Sequence, residues 1–316
     1  MKRWRHGTSL RDHGRLVPPH PDDQLVTASI TPDGSAVALW AGQAAAADLA
    51  NLAGTAFVAT LDRPVTARVT VQEPDGQQRT TTTITDLKLA HPDIAVLPSD
   101  ELLVVGARCN WTPDHVDPNA VVYSTDGHVI RQAVVGDGIA HLRTTASGAI
   151  WIGYSDEGIF GNFGWGSPGP APLGHRGLLR FDRSLEASWE FPEIRPDIAD
   201  LDAINVVGET VWMSYYTDYP IARVDNDSVT IWATNQMTIN QLLVDHDRLA
   251  LIGDHVVLAH LDTQRVIPTA TTQLQLPAAT SAGPPHVIAQ GPVLHVITPD
   301  GRWSITDIET LEATAF

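Results

Sequence analysis

Short apolar runs recur along the chain, each followed by a turn of Asp, Gly, Pro or Ser and then by a second run that often carries Trp and ends near Gly. Six copies of this unit occupy residues 28–40, 94–106, 141–153, 203–214, 242–253 and 286–297. Their equivalent positions are Trp40, Val104, Trp151, Trp212, Leu251 and His295. Apolar runs of this length, bounded by turn residues, predict strands rather than helices.

Two more strand-like runs follow most copies, such as 120–123 and 129–135, 178–182 and 187–191, or 221–225 and 229–232. Four strands per unit at this period predict an all-β fold, a β-propeller of four-stranded antiparallel blades. Six blades is the preferred count. The interval from His295 through the termini to Trp40 is one more blade-sized stretch, and the last blade shows only three clear strands. An N-terminal strand from residues 1–20 is therefore expected to close the ring and cover its edges. The surplus strand material of 56–89 is also compatible with seven blades. Helix is confined to the alanine-rich 44–52, between Gly42 and Gly54, so residues 1–316 read as a single domain.

The loops differ at the two ends of the strands. At one end they are short and generic, as in Pro32-Asp-Gly34 or Ala146-Ser-Gly148, and serve turn geometry. At the other they are long and chemically loaded: 108–119, the insertion 154–176, and 215–220. These fall in consecutive blades, so the expected site is a channel mouth beneath them. His141 with Asp156 and Glu157 forms a candidate general acid/base set, because imidazole titrates near neutral pH and crowded carboxylates move apart in pKa. The same groups can instead bond a neighbouring blade and cap loop amides.

Arg108, Trp111, Tyr154, Phe163, Trp165, Tyr215, Tyr216, Asp218 and Tyr219 are the candidate ligand-binding residues. The aromatics suit stacking on a flat polar molecule, or equally the anchoring of a glycine-rich loop; Trp165 is expected to be the exposed one. Trp40, Trp151 and Trp212 share one repeat position and are assigned to the core. His91 and His286 are the weak metal candidates for a divalent cation, since no close-spaced ligand motif is present. Gly164-Trp-Gly-Ser-Pro-Gly169 spells a dinucleotide fingerprint, but Pro168 and Pro170 forbid the helix that such a site requires.

Charge narrows the partners. With 20 basic and 37 acidic residues the net charge is −17, which disfavours nucleic acid and membrane surfaces. Cys109 is the one cysteine, and the N-terminus lacks a signal-like apolar run, so a cytoplasmic location is expected. The function expected is binding of a small polar, sugar-like or lactone-like ligand, as a lyase or hydrolase if the protein is an enzyme. The alternative is a non-catalytic platform gripping a protein partner with the same loop face.

The run Asp137-Gly-Ile-Ala-His141, leading to Gly148-Ala-Ile-Trp-Ile-Gly153 and Leu178-Leu-Arg-Phe-Asp182, resembles blades of the virginiamycin B lyase and NHL-type propellers. The run from Gly153 to Gly166, with Val105-Gly-Ala-Arg-Cys-Asn-Trp111, also looks like a group of actinobacterial propeller proteins of unassigned chemistry. The resemblance spans residues 28–297 at blade level and implies the propeller fold. Lyases of the wider class hold a metal with His and Glu at the channel mouth, and the resemblance sets His141 and Glu157 at loosely comparable positions.

Overall fold

Each of the six recurring units folds into a four-stranded antiparallel sheet, giving an all-β, six-bladed β-propeller. The computed structural model describes residues 8–50, 58–236 and 238–315. Blade I comprises Asp23–Ile30, Ala36–Gly42, Thr60–Gln72 and Gln78–Leu89; blade II comprises Pro92–Val96, Leu102–Gly106, Ala120–Tyr123 and Val129–Ala133. Blade III is built from Ile139–Thr144, Ile150–Tyr154, Leu178–Phe181 and Ala187–Glu190, and blade IV from Asp200–Val207, Thr210–Tyr216, Ile221–Asp225 and Ser228–Trp232. Blade V follows as Gln241–Asp245, Arg248–Ile252, Val256–Leu261 and Val266–Thr272.

Blade VI takes His286–Gln290, Val293–Ile297 and Arg302–Asp307 from the C-terminal region and Arg11–Arg15 from the N-terminal one. This last strand pairs antiparallel with Arg302–Asp307, placing Arg11 opposite Ile305 and Arg15 opposite Arg302. It supplies the expected closing strand and covers an edge that would otherwise offer unpaired backbone groups. Residues 1–7 of the expected closing segment, 51–52 of the alanine-rich segment and 56–57 of the stretch 56–89 lie outside the described residues.

The seven-blade alternative falls because the surplus material is one long hairpin. Thr60–Gln72 and Gln78–Leu89 run for 13 and 12 residues within blade I. The alanine-rich segment forms α1 (Gln43–Leu49). Two short helices escaped the sequence pattern: α2 (Asp156–Phe160) inside the insertion, and α3 (Ile308–Thr314), whose N-terminus is capped by the Asp307 carboxylate accepting from the Thr310 amide at 2.8 Å.

Contacts divide the fold into two compact units. One is Leu16–Leu201, with blades I to III; the other joins the segment up to Arg15 to Asp202 onward and carries blades IV to VI. Within the first, the core lies between blades I and II, where Leu39, Val69, Ile84, Leu87, Ile94 and Val104 are buried together. Within the second, Trp212, Ile221, Trp232, Leu242 and Leu251 fill the space between blades IV and V, and α3 lays Ile308 and Leu311 against Leu243, Leu258 and Leu294.

The repeated tryptophans are all buried, each paired with an arginine on the neighbouring strand: Trp40 with Arg68, Trp151 with Arg180, Trp212 with Arg223. In blades III and IV the guanidinium lies over the indole, 5.6 and 5.5 Å from its centre, a cation–π contact. Among the described residues no helix is long and apolar enough to cross a membrane.

Candidate functional site at the loop end of blades II and III

Arg108 leaves the second strand of blade II and is 6% exposed. A guanidinium this deep needs carboxylates, and two meet it. Nη2 lies 3.2 Å from Asp137 Oδ2, and Nη1 donates to Glu157 Oε2. The Phe163 ring covers the guanidinium, with its centre 4.3 Å from Cζ. Burial pulls the Arg108 pKa down against the charges of Asp137 and Asp156. The same burial raises Asp137, while the Cys109 amide at 2.8 Å and Arg108 act in the opposite direction.

Asp137 is placed by the connection between blades II and III. Asn119, 1% exposed, donates to Gly136 O at 2.7 Å and Gly106 O at 3.0 Å, and accepts from the Val135 amide at 2.9 Å. Gly138 follows at φ +64°, where a Cβ would come within 2.3 Å of the Gly158 nitrogen. Only glycine lets α2 close on the turn in this way. That approach sets Glu157 over Arg108, and Asn162 Nδ2 fixes its second oxygen at 2.8 Å.

A second carboxylate pair adjoins the first. Burial, followed by the charge of Asp156, raises the Asp200 pKa, against the opposite pull of the nearby Asp156 backbone amide. Asp156 is exposed, and its charge also acts on Arg108. Asp156 therefore couples a buried ion cluster to a carboxyl biased toward holding a proton.

The candidate residues fall into distinct places. Glu157, Arg108 and Phe163 meet in the cluster. Trp111 is half-buried on the small hairpin Trp111–Thr112 and His115–Val116, its amide bonded to Phe163 O at 2.8 Å. His141 Nε2 is engaged with Leu201 O at 2.9 Å, the bland alternative for this imidazole.

Three aromatics need correction. Trp165 is buried at 9% exposure and donates Nε1–H to Cys109 O at 2.9 Å; it anchors the insertion and is not its exposed ring. Tyr154 is fully buried, its hydroxyl donating to Val135 O at 2.5 Å, and Tyr215 is fully buried as well. Neither presents a face for stacking from solvent.

Tyr215, Tyr216, Asp218 and Tyr219 lie in the unit that starts at Asp202. There Tyr216 is 50% exposed with its ring centre 5.9 Å from that of Tyr219, and Asp218 is exposed. His286 opens blade VI in the same unit, half-buried, and burial lowers its pKa to about 4. His91 lies in the first unit, its pKa lowered by burial and by Arg108. Among the described residues no three His, Cys, Asp or Glu side chains gather as a metal site. Cys109 is buried and its thiol is pushed up to about 12, chiefly by burial, which opposes a reactive thiolate.

Asp137, Asp200, Asn119 and Asn162 were not among the sequence-derived candidates. The available signal was Asn119 standing immediately before the apolar run 120–123, where an amide can close the blade's loop.

A family model described as the YxzG family matches residues 177–280. No curated protein matches the chain. Among solved structures, a catalytically inactive virginiamycin B lyase from Staphylococcus aureus with quinupristin is similar at 10% identity and TM-score 0.44, over 93% of this chain and 98% of that one. A gluconolactonase from Xanthomonas campestris is similar at 12% identity and TM-score 0.44, over 96% and 99%. The Neurospora crassa Pan2 WD40 domain is similar at 10% identity and TM-score 0.48, over 95% and 94%.

Proposed function

We propose that the loop end of blades II and III binds a small polar ligand of the lactone or sugar-lactone kind and hydrolyses it by general acid–base catalysis. The supporting observation is the Asp156–Asp200 pair: two neighbouring carboxyl groups, one exposed and one biased toward protonation by burial and by its partner's charge. Environments that push paired carboxyls apart define an acid and a base. In this reading Asp156 takes a proton from water, whose oxygen adds to the lactone carbonyl. Asp200 gives its proton to the departing ring oxygen, leaving a hydroxy acid. Glu157, held by Arg108 and Asn162, accepts hydrogen bonds from the ligand's hydroxyls, and the Phe163–Arg108 stack forms the adjoining wall. The proton-accepting role passes from His141 to Asp156 because His141 Nε2 is occupied by Leu201 O.

The test is a pH-stat assay over a panel of five- and six-membered sugar lactones, with Asp156→Asn and Asp200→Asn as controls. General acid–base groups contribute about 10²–10⁴-fold, so each variant should lose activity on that scale. A wild-type rate no faster than both variants sinks the proposal. It would leave the second reading, a protein-binding face, which Phe160 at 69% exposure favours.

A further inference from the structure

Beside blade III, the C-terminal end of α2, the end of the insertion and the segment leading to blade IV line an open cleft of about 480 Å³. Its apolar part is Ile159, Phe191 and Ile198, at 7%, 2% and 6% exposure, with exposed Phe160 at the edge. Its polar part brings Arg176, Arg195 and His175 together with Glu193 and Asp197, and Arg195 is already paired with Asp197, so Arg176 is the cation left to consider. The volume suits a small organic molecule, and the lining is mixed, a small apolar floor beside a rim of charged side chains.

Arg176 is the informative residue. Its side chain is 26% exposed and its Nη1 lies 2.9 Å from Glu193 Oε1. Its Nε is buried with no hydrogen-bond acceptor; Glu190 Oε1, at 3.8 Å, lies beyond hydrogen-bond reach. The guanidinium fork is therefore half used, and its one close partner, Glu193, is 82% exposed. Exposed ion pairs are weak, whereas a carboxylate bridging Nε and a terminal nitrogen makes the strong two-pronged contact that arginine favours. Glu193 occupies part of the place that such a carboxylate would take.

We infer that this cleft binds a small monocarboxylate bearing an apolar group, with its carboxylate forked on Arg176 in place of Glu193 and its apolar group on Phe191, Ile198 and Phe160. The site is separate from the acid–base pair, and its ligand is a charged acid rather than a neutral lactone.

Calorimetric titration of the full chain with phenylacetate, and with neutral phenylacetamide, tests the inference. Phenylacetate should bind at least tenfold more tightly than the amide. Glu193→Gln should strengthen phenylacetate binding about two- to fivefold, since it removes the internal competitor, and Arg176→Gln should weaken it at least tenfold. Glu193 lies on the surface, so its variant reads binding without disturbing the fold even where Arg176→Gln does. Asp200→Asn should bind phenylacetate as the wild type does. Equal binding of acid and amide overturns the inference, as does weakened binding in Glu193→Gln. A loss in Asp200→Asn would move the ligand to the acid–base pair and also overturn it.

Discussion

Replacing Asn119 with alanine tests how blade II positions the ion cluster. The carboxamide makes three buried hydrogen bonds, to Gly106 O, Gly136 O and the Val135 amide, at 3.0, 2.7 and 2.9 Å. Each is worth about 1 kcal/mol net, and a buried amide left without its acceptor costs about 1–3 kcal/mol more. The expected loss is about 4–6 kcal/mol. Unfolding entropy of about 2.1 cal/mol/K per residue, over 316 residues, converts this to a Tm lower by roughly 6–9 °C if the chain melts in one transition. Asn205→Ala is the matched control. Asn205 is fully buried and donates to Leu242 O and Gly291 O at 2.7 and 2.8 Å while accepting from the Gly291 amide at 2.8 Å. Calorimetry should find similar losses for the two variants, whereas lactone turnover at a temperature where both are folded should fall only for Asn119→Ala, which frees the backbone beside Asp137. A Tm shift under about 1 °C for Asn119→Ala, or equal damage to turnover in both, refutes the reasoning.

Two further outcomes are expected. Burial, with a smaller contribution from His13, lowers the His295 pKa from 6.5 to about 4, and its Nδ1 accepts the Trp303 indole N–H at 3.1 Å, which requires an unprotonated nitrogen. As pH falls below about 6.5 the unfolded chain takes up a proton that the folded chain refuses, so this stability is complete above 6.5 and drains away down to about 4. At about 1.4 kcal/mol per pKa unit the effect is on the order of 3 kcal/mol; melting curves should show it, and an unchanged slope in His295→Gln would refute the assignment. Removing the chain through Arg15 strips the partner from Arg302–Asp307 and should lower Tm and make aggregation depend on concentration; light scattering identical to the full chain would show that the strand does not protect this edge.

The architecture was legible because a blade repeats one chemical pattern. All six strand pairs read from apolar runs and turns fall on the first two strands of the six blades, and the strand missing from the last blade was found by asking which segment could cover its edge. The count was ambiguous only where a hairpin overran its blade, since the strand material of 60–89 carries no mark of whether it continues a sheet or starts one. The aromatics were misread at the points where strand and loop meet. Ile150–Tyr154 is buried along its whole length, and Thr210–Tyr216 is buried from Val211 through Tyr215. Inner strands of a blade are covered on both faces, so burial runs continuously instead of alternating. Tyr154 and Tyr215 extend those runs and belong to the core, although they were assigned to the loops that follow.

The ion cluster was hidden for a different reason. Arg108, Asp137 and Glu157 are far apart in sequence and stand on separate connections, and what unites them is the spacing of backbone turns. Asn119 draws Gly136 toward blade II, and the missing side chains of Gly138 and Gly158 let α2 settle onto that turn. Single-letter chemistry shows an arginine, several carboxylates and some glycines without saying which pairs close. The identity of the acid follows from the same geometry. Asp137 is committed to the Cys109 amide and Arg108, and Glu157 to Arg108 and Asn162. Both are therefore tied to an arginine. Asp200 has the backbone amide of Asp156 but also its carboxylate charge nearby, and burial acts with that charge. Of the carboxyl groups around α2, it is the one whose surroundings favour keeping a proton without tying it to an arginine, which is the condition a general acid has to meet.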